Sequence, residues 1–445
     1  MSSGRGAWIT LVSVLVAAIG VSAGRADEVT YWNDVALNIM KESATPPPMV
    51  GRDLAIVQSS VYDAVNAIGR THRSLFTELS LAGPTSAESA VAAAAHEALM
   101  GLFPTYKTQL DTLFAVRLSG IADGAAKSNG IALGQSVADA MLALRASDGS
   151  QGSEVYLGGT LPGQWRPTPP KYQSGLAPWW GSVKPFRISS ADAYVPGPPP
   201  ALTSSEYAAA VEEVKRLGGA ASTARTPEQT QIAEFWSDST GQTATPVGKW
   251  NLIAQGLAQQ QGNTLAKNAR MFALLDVTLA DAGIVCWDTK YTYGLWRPED
   301  AVRLADTDGN PATQVDPSWT PLLTSPPFPE YVSGHSTFSA AAAETLALFF
   351  GTDDIAFETG AGFDVLPGVT RSFDSLSEAA QEAGRSRIYG GIHFEFSNVT
   401  GRGIGEAIAD DVFASSAQPI PAPGALILAL GGAMCLLRCK RALRD

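Results

Sequence analysis

The chain has 445 residues, is 45% hydrophobic and 17% charged, and carries 31 basic against 43 acidic side chains, a formal net charge of −12 at pH 7. That apolar content supports a large buried core in one big or two ordinary domains and excludes disorder over most of the length. Residues 1–26 and 419–445 hold six of the basic and one of the acidic side chains, so the body keeps 25 against 42, net −17, which argues against nucleic acid as a partner.

Arg5, an apolar run from Trp8 to Val21 and the small residues Ala23 and Ala26 have the layout of a secretory signal peptide over 1–26, with an apolar run too short to span a membrane comfortably. At the other end, Pro419-Ile-Pro-Ala-Pro-Gly424 leads into apolar Ala425 to Leu437 and then Arg438, Lys440, Arg441 and Arg444. This tripartite tail, 419–445, resembles the PEP-CTERM class of sorting signals, with Ala422 where glutamate is usual; a simple tail anchor is the alternative. The resemblance implies export to the periplasm, surface or extracellular matrix of a Gram-negative bacterium, an exosortase-type sorting partner, and membrane contact only through the tail. Of three cysteines, Cys435 and Cys439 lie in the tail, so the body, with Cys286 alone, has no internal disulfide. No Cys/His zinc spacing is present.

Apolar residues recur at three- and four-residue spacing through most of the body, which predicts an all-α fold. Helices are expected over 30–43 and 52–68, then from a capping box at Thr85-Ser-Ala-Glu88 to Leu102, and over 106–118 and 121–146. His96 reads as a packed or hydrogen-bonded histidine. From 148 to 204 glycine, proline and tryptophan dominate, and the tryptophans either cover a pocket or pad the surface. Helical signals resume at 204–216, at Thr226-Pro-Glu-Gln229 and over 249–261 and 265–287, which would place Lys290 just past a helix end. Asp306-Thr-Asp-Gly-Asn310 resembles the start of a calcium loop but reads as a tight turn, because the glycine is misplaced and the later glutamate missing. Further helices fit 336–350, a capping box at Ser375-Leu-Ser-Glu378 running toward Arg387, and 400–415. The expected organisation is an N-terminal helical bundle over 27–147, an irregular connector over 148–204 and a C-terminal catalytic bundle over 205–418.

The chemistry concentrates between Trp287 and His393, as Lys290-x6-Arg297-Pro298, Ser333-Gly334-His335 and Ser386-Arg387-x5-His393. Arginine offers planar forked donors to oxyanions and lysine a point charge. Glycine lets a backbone N–H approach without a side chain in the way. Of two histidines, one can bond the central atom and the other can move protons. The pattern describes a pocket for a highly charged oxyanion.

These motifs, in this order, resemble the vanadium-dependent haloperoxidases, which share fold and pocket with type 2 phosphatidic acid phosphatases and bacterial acid phosphatases. Trp287, Phe328, the phrase Phe328-Pro-Glu-Tyr-Val-Ser-Gly-His-Ser-Thr-Phe338 and the segment Tyr31 to Ile68 extend the likeness over most of 27–415. The resemblance implies two packed helical bundles and a vanadate cofactor. It implies that His393 coordinates vanadium, that Lys290, Arg297, Ser333, Gly334 and Arg387 hold the vanadate oxygens, and that His335 serves as acid/base. Catalysis would involve His335, Lys290 and His393, with hydrogen peroxide and halide as substrates and an organic acceptor possible. Trp287 and Phe328 would line the pocket, and Asp238 would supply the carboxylate that steadies His335. The position four after His393, aspartate in many relatives, is Ser397 here. The same pocket also suits an exported acid phosphatase acting through a phosphohistidine at His393, and a catalytically silent matrix scaffold is the third reading.

Overall fold

The computed structural model describes residues 27–79, 83–416 and 418–420; the signal-peptide reading of 1–26 and nearly all of the tail lie outside them. Thirteen α-helices occur among the described residues: α1 (Glu28–Glu42), α2 (Pro47–Gly69), α3 (Ala87–Leu102), α4 (Lys107–Ser119), α5 (Ala125–Arg145), α6 (Ser205–Gly218), α7 (Pro227–Phe235), α8 (Thr245–Gln260), α9 (Leu265–Tyr293), α10 (Pro298–Arg303), α11 (Gly334–Phe350), α12 (Leu376–Tyr389) and α13 (Glu395–Ser415). The all-α expectation holds. The one sheet among the described residues is an antiparallel hairpin of β1 (Phe357–Gly360) and β2 (Thr370–Phe373), pairing Phe357 with Phe373, which the helical periodicity around it concealed.

The axis of the molecule is α9. Its 29 residues, about 43 Å of helix at 1.5 Å per residue, are buried almost continuously from Asn268 to Lys290. A helix apolar on all sides must be surrounded; α2 packs along one side of it and α11 and α13 along another, so it joins the N-terminal helices to the C-terminal ones. The helix runs six residues beyond the expected end at Trp287, because no breaker intervenes before Gly294, which caps it at φ +55°. Lys290 therefore lies in the last turn, not after it. Two smaller differences have local causes. Ser86, not Thr85, caps α3, accepting from the Ser89 amide at 3.2 Å, because the Thr85 hydroxyl turns back to the Gly83 carbonyl. Pro47 opens α2, since proline is tolerated in a first turn. Thr226 and Gln229 form the full reciprocal box at α7.

The irregular segment is pinned at several points along the C-terminal half of α9 and to the helices beside it. Asp148 bonds Arg52 and Arg145 at 2.7 and 2.9 Å. Asp281 of α9 accepts the amides of Phe186, Arg187 and Ile188. The Leu176 carbonyl accepts from Trp287 Nε1 and Tyr291 Oη, at 3.1 and 2.6 Å. Trp165 and Trp180 are fully buried, so they fill the core beneath the strap. Elsewhere, His96 bonds Asp111 at 3.0 Å and stacks on Phe114, and Asp308 closes a turn onto the Asn310 amide at 2.7 Å.

Glycines at i and i+4 bring two helix pairs into close approach. Gly130 and Gly134 let α5 lie on α3, and Gly401 and Gly405 let α13 lie on α11. A Cβ at Gly405 would come within 2.3 Å of the Thr337 carbonyl oxygen and 2.8 Å of the Ala341 amide, both backbone atoms that cannot move aside. Gly405→Ala should therefore cost about 1–3 kcal/mol by overpacking, read as a lower urea midpoint; an unchanged midpoint would show that the two helices are not packed this closely.

Asp276 of α9 is fully buried, with Asn251 of α8 donating to it at 2.7 Å. Burial raises its carboxyl from 3.8 to about 8, against which the Asn251 bond is the opposing influence. The folded chain thus holds a proton that the unfolded chain releases near pH 4, so the stability this proton contributes is complete below pH 4 and is lost as pH rises through about 8. Asp276→Asn keeps the shape without the titration. The stability of the variant relative to the native chain should rise progressively between pH 4 and 8, and a pH-independent difference would contradict the assignment.

Candidate active site

The site is assembled from helix ends and loops around the C-terminus of α9. Lys290 comes from the last turn of α9, and Arg297 is the N-cap of α10. Ser333 caps α11, whose first turn carries Gly334 and His335. Arg387 lies near the end of α12, and His393 precedes Phe394, the N-cap of α13. Asp238 lies in the connection from α7 to α8. Residues separated by up to 155 positions are thus brought to one place by caps and helix ends, where backbone groups lack intrahelical partners.

His393 is the best-defined member. Its Nδ1 lies 2.8 Å from Glu330 Oε1, and its Nε2 lies 3.1 Å from Arg297 Nη1. A guanidinium can only donate, so Nε2 presents its lone pair and Nδ1 carries the proton that goes to Glu330. The same Glu330 oxygen accepts the Phe394 amide at 3.0 Å, which ties the start of α13 to the loop before α11. Burial, with Arg297 and Lys290 adding to it, drives the His393 imidazole well below its usual range, so it is neutral.

The three cations are buried and partly tethered. Arg297 donates through Nε to the Phe328 carbonyl and through Nη1 to the Ile392 carbonyl, both at 2.8 Å, and its buried Nη2 has no partner. Arg387 donates to Ser386 Oγ at 2.8 Å and to the carbonyls of Ala233 and Trp236. Lys290 donates to the carbonyls of Pro329 and Glu330 at 3.1 Å, and to that of Val332. It thereby shapes the loop in front of α11, a task its spacing did not reveal. Burial lowers Lys290 to about 8 and the two arginines to about 10.

Ser333 accepts from the Ser336 amide at 3.3 Å and lies 2.8 Å from Ser336 Oγ. Around Gly334 no protein atom outside its own turn would come within 3.8 Å of a Cβ, so packing does not demand glycine there. Trp287 and Phe328 meet at 5.0 Å between ring centroids, with Lys290 Nζ 5.0 Å from the Phe328 ring. His335 Nε2 is 3.9 Å from Asp238 Oδ2, beyond hydrogen-bond length but within reach of its charge, and neither atom has another partner. Burial, then Arg387, pushes His335 well below its ordinary range.

Two participants escaped the sequence reading. Glu330 stands inside the quoted phrase, five residues before His335, yet only the fold turns its carboxylate onto His393. Ser397, four residues after His393, lies beneath the same loop with Oγ 3.5 Å from the Glu330 carbonyl, and the carboxylate at His393 comes from Glu330. Lys249 is a lone charge in an apolar stretch of α8, with Nζ 2.6 Å from the Gly360 carbonyl and 3.9 Å from the Phe235 ring centroid. That isolation was its only signal.

The arrangement fits a multiply charged oxyanion. The cluster contains four cationic side chains, counting Lys249, against the carboxyls of Glu330 and Asp238. Arg297 Nη2 and His335 Nε2 are buried polar atoms without partners, and the first-turn amides of α11 add a helix N-terminus, where anions are favoured.

Residues 270–421 match the family described as the VCPO second helical-bundle domain. The vanadium chloroperoxidase of Curvularia inaequalis is 27% identical in an alignment covering 84% of this chain and 80% of that protein. Among solved structures, the first bacterial vanadium-dependent iodoperoxidase is similar at 29% identity and a TM-score of 0.78, over 89% of this chain and 97% of the other. A holo-type bacterial vanadium-dependent chloroperoxidase shares the fold at 17% identity and a TM-score of 0.69, over 88% and 98% of the two chains. The match covers Lys290 to His393, and the relatives that align along most of their lengths are vanadium-dependent haloperoxidases, so the chain is similar to that family in sequence and in fold.

Proposed function

We propose that the chain is a vanadium-dependent haloperoxidase that oxidises a halide with hydrogen peroxide to hypohalous acid. The observation that carries this reading is the His393 Nε2 lone pair set among buried cations, with Arg297 at 3.1 Å. Relatives named as a chloroperoxidase and an iodoperoxidase support it. His393 would bond the vanadate centre, and Lys290, Arg297, Ser333, the Gly334 amide and Arg387 would hold its oxygens. Bound there, vanadate supplies a Lewis-acid centre that makes peroxide oxygen electrophilic toward halide.

The protein's own groups have distinct tasks. Glu330 holds His393 in the Nδ1–H tautomer, so the Nε2 lone pair, which faces Arg297 Nη1, is the one that would bond the vanadate centre. The three cations stabilise negative charge on oxygen in a site that water barely enters, where such interactions are strongest. His335 would take or give the proton at the reacting oxygen. Trp287 and Phe328 give the pocket an apolar wall.

Two assays on the full chain test this: bromination of a phenol-red-type dye with orthovanadate, peroxide and bromide, and hydrolysis of p-nitrophenyl phosphate without vanadate. Bromination that requires vanadate is expected. Hydrolysis without bromination would instead make His393 a nucleophile and the protein a phosphatase, and inactivity in both would support the scaffold reading. His393→Ala should lose vanadate binding and bromination with its helical circular dichroism intact; wild-type turnover in this variant would remove the site from consideration.

Glu330→Gln keeps the size of the side chain but not its charge. It should weaken orthovanadate binding about 10–100-fold, as loss of a ligand's supporting partner commonly does, measured by equilibrium dialysis. Unchanged affinity would mean that Glu330 serves the loop and not His393.

A further inference from the structure

Lys249 belongs to none of the pocket motifs, yet it is only 1% exposed and its charge acts on the Asp238 carboxyl. An ammonium at such depth is unfavourable unless other groups compensate it. Its Nζ donates to the Gly360 carbonyl of β1 at 2.6 Å and lies over the rings of Phe235 and Trp236, at 3.9 and 5.2 Å from their centroids. The hairpin providing that carbonyl is itself fixed to the same stretch of chain. Arg371 of β2 pairs with Glu382 of α12 at 2.6 Å, and Glu382 accepts from Trp236 Nε1 at 3.0 Å.

The stretch so anchored is the one that serves His335. Trp236 offers it a carbonyl that favours the protonated imidazole, and two residues on Asp238 offers a charge at 3.9 Å. Asp238 is held at φ +41° and Thr245, at the other end of the connection, at φ +62°, a conformation costly for a β-branched residue. Asp238 Oδ2 is buried without a hydrogen-bond partner, and burial pushes the carboxyl up from 3.8 to about 6, so the cations that oppose this shift decide how far it stays ionised. Two cations act on it, Lys249 first and Arg387 second. Arg387 belongs to the oxyanion set and donates to the Trp236 carbonyl, which leaves Lys249 as the counter-charge with no other electrostatic task in the pocket.

We propose, resting on the haloperoxidase reading above, that Lys249 is a positioning residue for His335: tethered to the Gly360 carbonyl, its ammonium keeps Asp238 anionic, and Asp238 in turn lets His335 hold a proton among the pocket cations. The groups facing His335 are Asp238 and the Trp236 carbonyl from the connection before α8, Arg387 from α12, Lys290 from α9, Arg297 at the start of α10 and His393 from the turn before α13. The three cations oppose protonation of His335, and Asp238 is the carboxylate that opposes them.

The test exploits a difference in sign. Loss of a cation acting directly on His335 would make the imidazole easier to protonate; loss of a cation acting through Asp238 makes it harder, because the carboxyl then takes up a proton and ceases to be a charge. The chain has four histidines, so the His335 imidazole can be followed by nitrogen-15 NMR in the cofactor-free full chain, with His335→Gln for assignment. Lys249→Met should lower its proton affinity about tenfold, in the range a nearby charge produces, Lys249→Arg should restore it, and in an Asp238→Asn background Lys249→Met should produce no further fall. The corresponding limb of the bromination pH profile should move in the same direction. A rise in proton affinity in Lys249→Met, no change, or a fall that persists in the Asp238→Asn background overturns the proposal. Asp238→Asn alone, with Lys249 in place, must also lower the affinity, so the test remains decisive if Lys249→Met does not fold. Because the imidazole is read without cofactor, failure of the proposal is separable from failure of the function: a native chain that neither binds vanadate nor brominates loses the latter while the NMR result still decides the former.

Discussion

Lys290, Arg297 and Arg387 are each at most 1% exposed, and a cation taken out of water is unfavourable by several kcal/mol unless something replaces its hydration. The replacements determine much of the surrounding structure. Lys290 has three carbonyls of the loop at 329–332, Arg297 the carbonyls of Phe328 and Ile392, and Arg387 those of Ala233 and Trp236. Such carbonyls are available only where the chain leaves regular structure. The same solvation joins the loop before α11, the turn before α13 and the end of α7 into one shell, so the positive centre and its scaffold cannot be separated energetically.

That shell needs a rigid frame, which comes from close helix packing. Gly401 and Gly405 bring α13 onto the first two turns of α11, next to the turn that carries His335. The long axis of α9 carries Lys290 to the same end. The strap of residues 148–204 then closes the outside of this end, with the Leu176 carbonyl taking both Trp287 and Tyr291. An irregular segment over a buried site has to satisfy its own polar groups, and Asp148 and Asp281 do this by accepting from arginines and from three successive amides.

The helical nature of the chain and the identity of the cationic cluster were legible in sequence because both are local signals: three- and four-residue periodicity, and short motifs with fixed internal spacing. Lys290 was misplaced by one turn because helix ends depend on the capping residue, and Gly294 lies beyond the point where apolar periodicity fades. The hairpin at 357–373 was missed because strands of four residues are too short to show alternation. Glu330 and Lys249 were missed for a different reason. Their partners, His393 and Asp238, are 63 and 11 residues away, and no spacing rule links a carboxylate in a loop or an ammonium on a buried helix face to them. Asp238 was visible as a candidate because it follows Phe235-Trp236, although its approach to His335 exists only in the fold.

The two histidines face the same cations but have different support, and that difference divides their chemistry. His393 is clamped, with one nitrogen 2.8 Å from a carboxylate that also holds the Phe394 amide and the other 3.1 Å from a guanidinium. A ring so fixed keeps one tautomer and one orientation, which suits a group that must bond a central atom repeatedly in the same geometry. His335 has 16% of its side chain exposed, and its carboxylate stands off at 3.9 Å. Bonded to the Trp236 carbonyl and influenced by a carboxylate it does not touch, this ring would take up or release a proton at its unpartnered Nε2 without breaking a bond there. The positive field lowers the proton affinity of both imidazoles, and the distance of each supporting carboxylate then decides which one is anchored and which one is free to exchange protons.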